Sequence, residues 1–248
     1  MRKLFAVLLA PLLVLAAQVG TAHATTANTA EDNFTRPDSL GTWGTTTNND
    51  GLPNFAWKRS LGTSTLSPYV QILNDQGVLT YTGHNDHKIA GYLPTAANQG
   101  GDILVEATFS NVTQAMFGAT LDNNAKGTQW YQAEAATQTK DLEIIKRLGG
   151  EMYDEVAIPF GPYVAGQAYW LREDVTVTAG VATVAMSVWA DGTTEPTSWQ
   201  LTWTDPTPLA PGQPGVMANW VHTPQVPSDH VSFSNFAYAA TGLAVPAT

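Results

Sequence analysis

Tyr169-Trp170-Leu171-Arg172-Glu173-Asp174-Val175-Thr176-Val177-Thr178-Ala179-Gly180-Val181-Ala182-Thr183-Val184-Ala185-Met186-Ser187-Val188-Trp189-Ala190-Asp191-Gly192 is the stretch that decides the fold. Residues 169–177 alternate, with Trp170, Arg172 and Asp174 on one side and Leu171, Glu173 and Val175 on the other. A period of two marks a strand with two unlike faces. Ala179-Gly180 then supplies a tight reversal, since glycine takes positive φ without steric penalty. Residues 181–190 return as a second strand, and Asp191-Gly192 ends it in another turn.

The same pattern extends outward. Residues 102–109 are rich in β-branched side chains, and residues 115–121 run up to the turn Asp122-Asn123-Asn124. Residues 129–136 and 141–147 follow; Leu148-Gly149-Gly150 turns the chain, and residues 151–158 come back. Residues 140–148 also fit a short helix through Leu142, Ile145 and Leu148, but the glycine turn and the returning strand favour a hairpin. Residues 199–203 put Trp199, Leu201 and Trp203 on one face, and residues 215–221 and 231–239 close the chain. About a dozen short strands with turns every ten or so residues predict an all-β sandwich or barrel.

The chain begins with a different kind of segment. Met1-Arg2-Lys3 is a short positive start, residues 4–17 are apolar apart from Pro11, and Ala22-His23-Ala24 offers small residues at a cleavage site. That is the layout of a secretory signal peptide covering residues 1–24, and the run is shorter than the roughly 20 apolar residues a membrane span needs. The expected organisation is a flexible lead-in at 25–30, one domain at 31–241 and a tail at 242–248. The mature protein is expected outside the cytoplasm. A cysteine count of 0 in an exported chain of 248 residues fits a bacterial exoprotein whose core needs no staples. The formal charge of −10 argues against nucleic acid and anionic membrane surfaces as partners. Only 13% of residues are charged, and Thr, Asn, Gln and Ser supply much of the polar surface beside 8 Trp and 8 Tyr. Such surfaces suit neutral ligands such as sugars, and they also suit any secreted β protein.

Three segments resemble one known family. Glu31-Asp32-Asn33-Phe34-Thr35-Arg36-Pro37-Asp38-Ser39-Leu40-Gly41-Thr42-Trp43-Gly44 is similar to the opening of bacterial concanavalin A-like lectin/glucanase domains, the laminin-G-like jelly rolls. Tyr169-Trp170-Leu171-Arg172, with Val188-Trp189-Ala190-Asp191-Gly192-Thr193 and Glu195-Pro196 before Trp199, resembles their second-half pattern. Val231-Ser232-Phe233-Ser234-Asn235-Phe236 resembles their last strand. The resemblance implies a two-sheet antiparallel β-sandwich, a jelly roll, with the N- and C-terminal strands paired. Phe34 and Phe233 or Phe236 would then share one core, and Asp32 would cap the strand end. Phe34, Trp43, Trp57, Trp170, Trp189 and Phe236 read as core, and Arg172 as a partly buried cation paired with Glu106 or Asp174.

Family members that hydrolyse β-glucans carry E-x-D-x-x-E or E-x-D-x-E on one strand. The nearest match is Glu151-Met152-Tyr153-Asp154-Glu155, with a tyrosine where the central acid belongs. Glu151 and Glu155 would lie about 13 Å apart along an extended strand, too far for the roughly 5–9.5 Å that glycoside hydrolysis requires. They are weak catalytic candidates, and a solvated hairpin rim is the plainer reading. His84 and His87 are the best transition-metal candidates, although a polar turn explains them as well. No cofactor is expected; calcium is the ion the fold suits, with Asn49 and Asp50 or Asp122 and Asn124 as donors, all equally at home in ordinary turns. Trp130, Tyr131, Trp199, Trp220 and His222 border turn-rich stretches and are the candidate carbohydrate contacts.

The expected function is a secreted, non-catalytic module that binds a polysaccharide or cell-surface glycan. A glycan-active hydrolase or lyase of the same superfamily is the alternative, and a structural or adhesive exoprotein is the third. A sheet face lined by acids, by aromatics or by neither distinguishes them.

Overall fold

The computed structural model describes residues 29–47, 55–61, 69–80, 89–93, 98–124, 126–149, 151–220, 229–243 and 245. Its strands are β1 (Thr29–Asp32), β2 (Ser39–Leu40), β3 (Lys58–Leu61), β4 (Tyr69–Ile72), β5 (Gly77–Thr80), β6 (Ile89–Tyr92), β7 (Gly101–Phe109) and β8 (Ala115–Asn123). They continue as β9 (Gln129–Ala136), β10 (Asp141–Leu148), β11 (Glu151–Pro159), β12 (Ala168–Thr178), β13 (Val181–Ala190), β14 (Leu201–Asp205), β15 (Gln213–Trp220) and β16 (His230–Ala239). A nine-stranded sheet runs β14-β13-β12-β7-β16-β5-β4-β2, with β1 added beside β16, and a seven-stranded sheet runs β11-β10-β9-β8-β15-β6-β3. All pairings are antiparallel. The molecule is a two-sheet β-sandwich of jelly-roll type.

The hairpins read from the sequence are present. Ala179 and Gly180 both take positive φ (51° and 79°) between β12 and β13, and β10 pairs with β11 where a helix was the alternative. Alternation sorts the side chains. Leu171 and Val175 of β12, Phe117 and Leu121 of β8, and Leu142 and Ile144 of β10 meet in one core between the sheets.

The chain ends close on each other. Thr29–Asp32 pairs with 236–239 of β16, so the first and last strands zip together. Phe34 packs on Trp43 (5.4 Å) and Trp57 (5.9 Å), Trp43 on Phe233 (5.7 Å), and Trp57 on Phe236 (5.1 Å). Asp32 organises this closure. Its carboxylate accepts the Phe34 backbone N–H at 2.8 Å and the Trp57 indole N–H at 2.6 Å, and pairs with Arg36 at 2.5 Å. The Arg172 partners expected from the sequence, Glu106 and Asp174, need correcting. Arg172 instead binds Asp102 through Nε (3.0 Å) and Nη2 (2.5 Å), and Glu195 through Nη1 (2.9 Å). Asp102 sits on β7 four residues from the expected Glu106 and so shares its face.

Candidate functional site

The outward face of the seven-stranded sheet carries a dense cluster of polar side chains. On β9, Tyr131, Ala133 and Ala135 point into the core, so Trp130, Gln132 and Glu134 point out. These three form a chain. The Trp130 indole N–H donates to Gln132 Oε1 at 2.9 Å, and Gln132 Nε2 donates to Glu134 Oε2. An orienting hydrogen bond at each step fixes the rotamers before any ligand arrives.

The turn over residues 137–140 fixes the β9–β10 register, which sets Glu134 directly opposite Glu143 and Trp130 opposite Arg147. Directly opposed residues have Cβ atoms about 4.5–5.5 Å apart. Glu134 and Glu143 are 2% and 7% exposed, and the Thr139 hydroxyl donates to Glu143 Oε1 at 3.2 Å. On the other flank, Thr120 of β8 lies opposite Gln132. Asn219 of β15 reaches Met116 Sδ through its amide nitrogen at 3.6 Å. Thr120 Oγ1 and Asn219 Oδ1 are buried on this face with no hydrogen-bond partner among the described residues. Buried polar atoms without partners are costly and are rarely kept without use. The face therefore presents two acids, a cation, amides, a hydroxyl and an indole, an assortment suited to a ligand bristling with hydroxyl groups.

The sequence candidates scatter around this face. Trp130 lies on it. Glu155 also lies on it, opposite Ile145 and diagonal to Glu143, and is exposed. Glu151 pairs with Leu148 at the tip of the β10–β11 hairpin. Tyr131 lies inside the sandwich. Its hydroxyl donates to Asp205 at 2.6 Å and accepts the Leu209 N–H at 3.0 Å, and burial is the main cause that pushes its pKa up. Trp199 belongs to the other sheet's outer surface, so Trp130 and Trp199 are not brought together. Asp122 is buried and its Oδ1 accepts the Gly100 N–H at 2.9 Å; burial outweighs that bond and raises its pKa to about 7. Asn124 closes its own turn on Thr128. Trp220 ends β15; its side chain, and Asn49, Asp50, His84, His87 and His222, lie outside the described residues. No cluster of three or more metal-ligating side chains occurs among the described residues.

Glu134, Glu143, Gln132, Thr120, Arg147 and Asn219 were not singled out from the sequence. A search for acids along one strand passes over a pair contributed by two. The available signal was alternation combined with the 137–140 turn, which together place Glu134 beside Glu143.

On the outer face of the nine-stranded sheet, Trp170 stacks near Trp189 (6.4 Å between ring centroids), and the Arg172 guanidinium lies over the Trp199 ring at 5.7 Å. A cavity of about 220 Å³ opens there beside Glu195, Thr197 and Ser198.

No protein-family profile and no curated protein matches the sequence. Solved structures match its fold. A β-glucanase of Bacillus licheniformis superposes with a TM-score of 0.54 at 15% identity, covering 86% of this chain and 98% of that one. A prokaryotic β-1,3-1,4-glucanase (lichenase) derived from a mouse hindgut metagenome gives 0.54 at 10%, covering 86% and 99%. A structure described as a native glycosidic hydrolase gives 0.53 at 13%, covering 84% and 97%. At these identities the likeness concerns the fold, which is the concanavalin A-like jelly roll that the sequence motifs resemble.

Proposed function

We propose that this chain is an exported glycan-binding module whose ligand lies on the outward face of the seven-stranded sheet. The observation that carries the reading is the pair of unpartnered buried atoms, Thr120 Oγ1 and Asn219 Oδ1, set beside the oriented Trp130–Gln132–Glu134 chain. Sugar hydroxyls both donate and accept, so a neutral polysaccharide satisfies such atoms, while the indole offers an apolar edge. Export follows from the reading of residues 1–24 as a signal peptide. No nucleic acid and no cofactor takes part. Among the described residues no helix is long and apolar enough to cross a membrane.

The test is affinity electrophoresis of the mature protein through a panel of neutral polysaccharides, with calcium and with chelator. Retention on at least one polymer is expected, unchanged by chelator and weakened about tenfold or more by Asn219→Ala or Glu134→Gln. No retention on any polymer in either condition refutes the reading and leaves the structural or adhesive role. Retention lost to chelator brings calcium into the site.

A second reading has its own observation. Glu134 and Glu143 oppose each other across an antiparallel pair, which sets their Cβ atoms about 4.5–5.5 Å apart and lets the two carboxyl groups reach the roughly 5–5.5 Å separation of retaining glycosidases. In this reading one carboxyl protonates the leaving oxygen and the other attacks the anomeric carbon. Against it, β9 carries Trp130 and Gln132 at the alternate positions that precede Glu134, where the glucan-cleaving pattern has acids. Release of reducing ends by the wild type, abolished by both Glu134→Gln and Glu143→Gln, establishes hydrolysis; no release across the panel removes it.

A further inference from the structure

The outer surface of the opposite sheet holds a second built feature. The loop after β13 folds Trp199 back beneath the β12 cation Arg172, whose guanidinium lies 5.7 Å from the ring centre. That guanidinium is itself immobilised, by Asp102 on β7 (3.0 Å and 2.5 Å) and by Glu195 of the same loop (2.9 Å). The indole is therefore held by a charged clamp and has already lost rotamer freedom, yet Trp199 remains 41% exposed. An exposed tryptophan held rigid is an unusual use of a large apolar surface. Pre-organisation of this kind reduces the entropy lost on binding. Beside the ring opens the cavity of about 220 Å³, lined also by Ser187, Thr197 and Ser198. It is smaller than the roughly 300–1,000 Å³ of pockets for larger ligands, so it takes a single ring.

Charge narrows the ligand class. Around the cavity one cation, Arg172, meets two carboxylates, Asp102 and Glu195, and both carboxylates already occupy its donors. Among the described residues an anionic sugar finds no free cation at this cavity and a local excess of negative charge. A neutral pyranose finds a flat ring to stack on, hydroxyl groups from Ser198 and Thr197, and the Glu195 carboxylate as acceptor. We propose that the Trp199 cavity is a separate subsite for one neutral hexose or pentose unit, on the sheet opposite the Glu134 face. The two sites face away from each other, so one molecule could bridge two glycan chains.

The experiment is calorimetric titration of the mature protein with glucose, galactose, mannose, xylose and glucuronic acid up to about 10 mM, for wild type, Trp199→Ala, Glu195→Gln and Asn219→Ala. Because Trp199 lies at the surface, Trp199→Ala is expected to keep the wild-type unfolding temperature, and Glu195→Gln, which keeps the side-chain shape, guards against a folding loss. The expected result is binding of at least one neutral monosaccharide, weakened about tenfold or more by Trp199→Ala and several-fold by Glu195→Gln, unchanged by Asn219→Ala, with no binding of glucuronic acid. Binding untouched by Trp199→Ala, preferential binding of glucuronic acid, or no binding of any monosaccharide overturns the subsite. The outcomes also separate the two sites. Polysaccharide retention sensitive only to Asn219→Ala leaves the seven-stranded face standing and removes this one; sensitivity only to Trp199→Ala does the reverse.

Discussion

Glu173 occupies a position built for hydrocarbon. It alternates with Leu171 and Val175 on the inward face of β12, all three fully buried, and neither carboxylate oxygen has a hydrogen-bond partner among the described residues. Burial raises its pKa well above the ordinary range, and the charges of Asp122, Asp174 and Asp102 push it further. Burial inside the sandwich therefore favours its neutral form. The sign of the linkage follows. A group whose folded pKa exceeds its unfolded value of about 4.3 supports the fold fully below that value and withdraws support as pH rises through the folded one. Asp122, raised from 3.8 to about 7, acts in the same direction across that window. Each group withdraws at most about 1.4 kcal/mol per pH unit. Thermal unfolding followed by circular dichroism should show the wild type losing stability as pH rises from about 4 towards about 7 through these groups. Glu173→Met, which fills the space without a polar atom, should flatten the decline and gain about 1–3 kcal/mol at neutral pH. A variant with the wild-type pH slope would show that Glu173 has a partner or reaches water.

At the scale of elements, one buried ion pair ties the two sheets. Lys146 points inward from β10 and meets Asp205, at the end of β14, at 2.7 Å, with both side chains 3% exposed. The ammonium also donates to the Thr207 carbonyl at 2.6 Å, and the Tyr131 hydroxyl donates to the same carboxylate. Burial alone would raise the Asp205 pKa; Lys146, Tyr131 and the Thr207 N–H outweigh it and hold the carboxyl below its usual range. Removing one partner strands the other in the core. Lys146→Met should cost about 3–5 kcal/mol, read from the urea midpoint, and Lys146→Met with Asp205→Leu should recover most of the loss. A single variant as stable as wild type would mean that Asp205 is fully satisfied without the cation. This bridge was not legible in the sequence, because its members lie far apart along the chain and only sheet stacking brings β10 and β14 together. The hairpins were legible, because glycine turns and alternation are local. Glu134 and Glu143 fall between the two cases. Each strand was read correctly, but the acids were sought along a strand rather than across a pair. Arg172 shows the same limit, since its face was correct and its partner lay elsewhere on the neighbouring strand.

For the whole molecule, stability turns on how its two ends are joined. Residues 29–32 pair with 236–239, so this closure forms only when nearly the entire described chain has come together. Pairing of such high sequence separation costs loop entropy before it returns contacts. What holds it afterwards is apolar packing of Phe34, Trp43, Trp57, Phe233 and Phe236, each ring contributing up to about 1.5–3 kcal/mol by burial. Asp32 positions that packing. It fixes Phe34 at a positive φ of 56°, a backbone state phenylalanine does not favour, by accepting its N–H, and it satisfies the Trp57 indole. Asp32→Ala leaves the buried indole donor and the Arg36 cation without their acceptor, at a cost of about 2–4 kcal/mol. For a domain of this size that is a drop of about 5–15 °C in Tm. Asp32→Asn keeps an acceptor oxygen but loses the charge facing Arg36, so it should fall by roughly half as much, whereas Thr47→Ala, which removes a longer 3.2 Å bond to the same carboxylate and two exposed hydrogen bonds with Asn33, should fall least. Differential scanning calorimetry orders the three. If Asp32→Ala melts with the wild type, the aromatic cluster closes the sandwich unaided, and the similarity of the opening segment to jelly-roll domains reflects its rings rather than its acid.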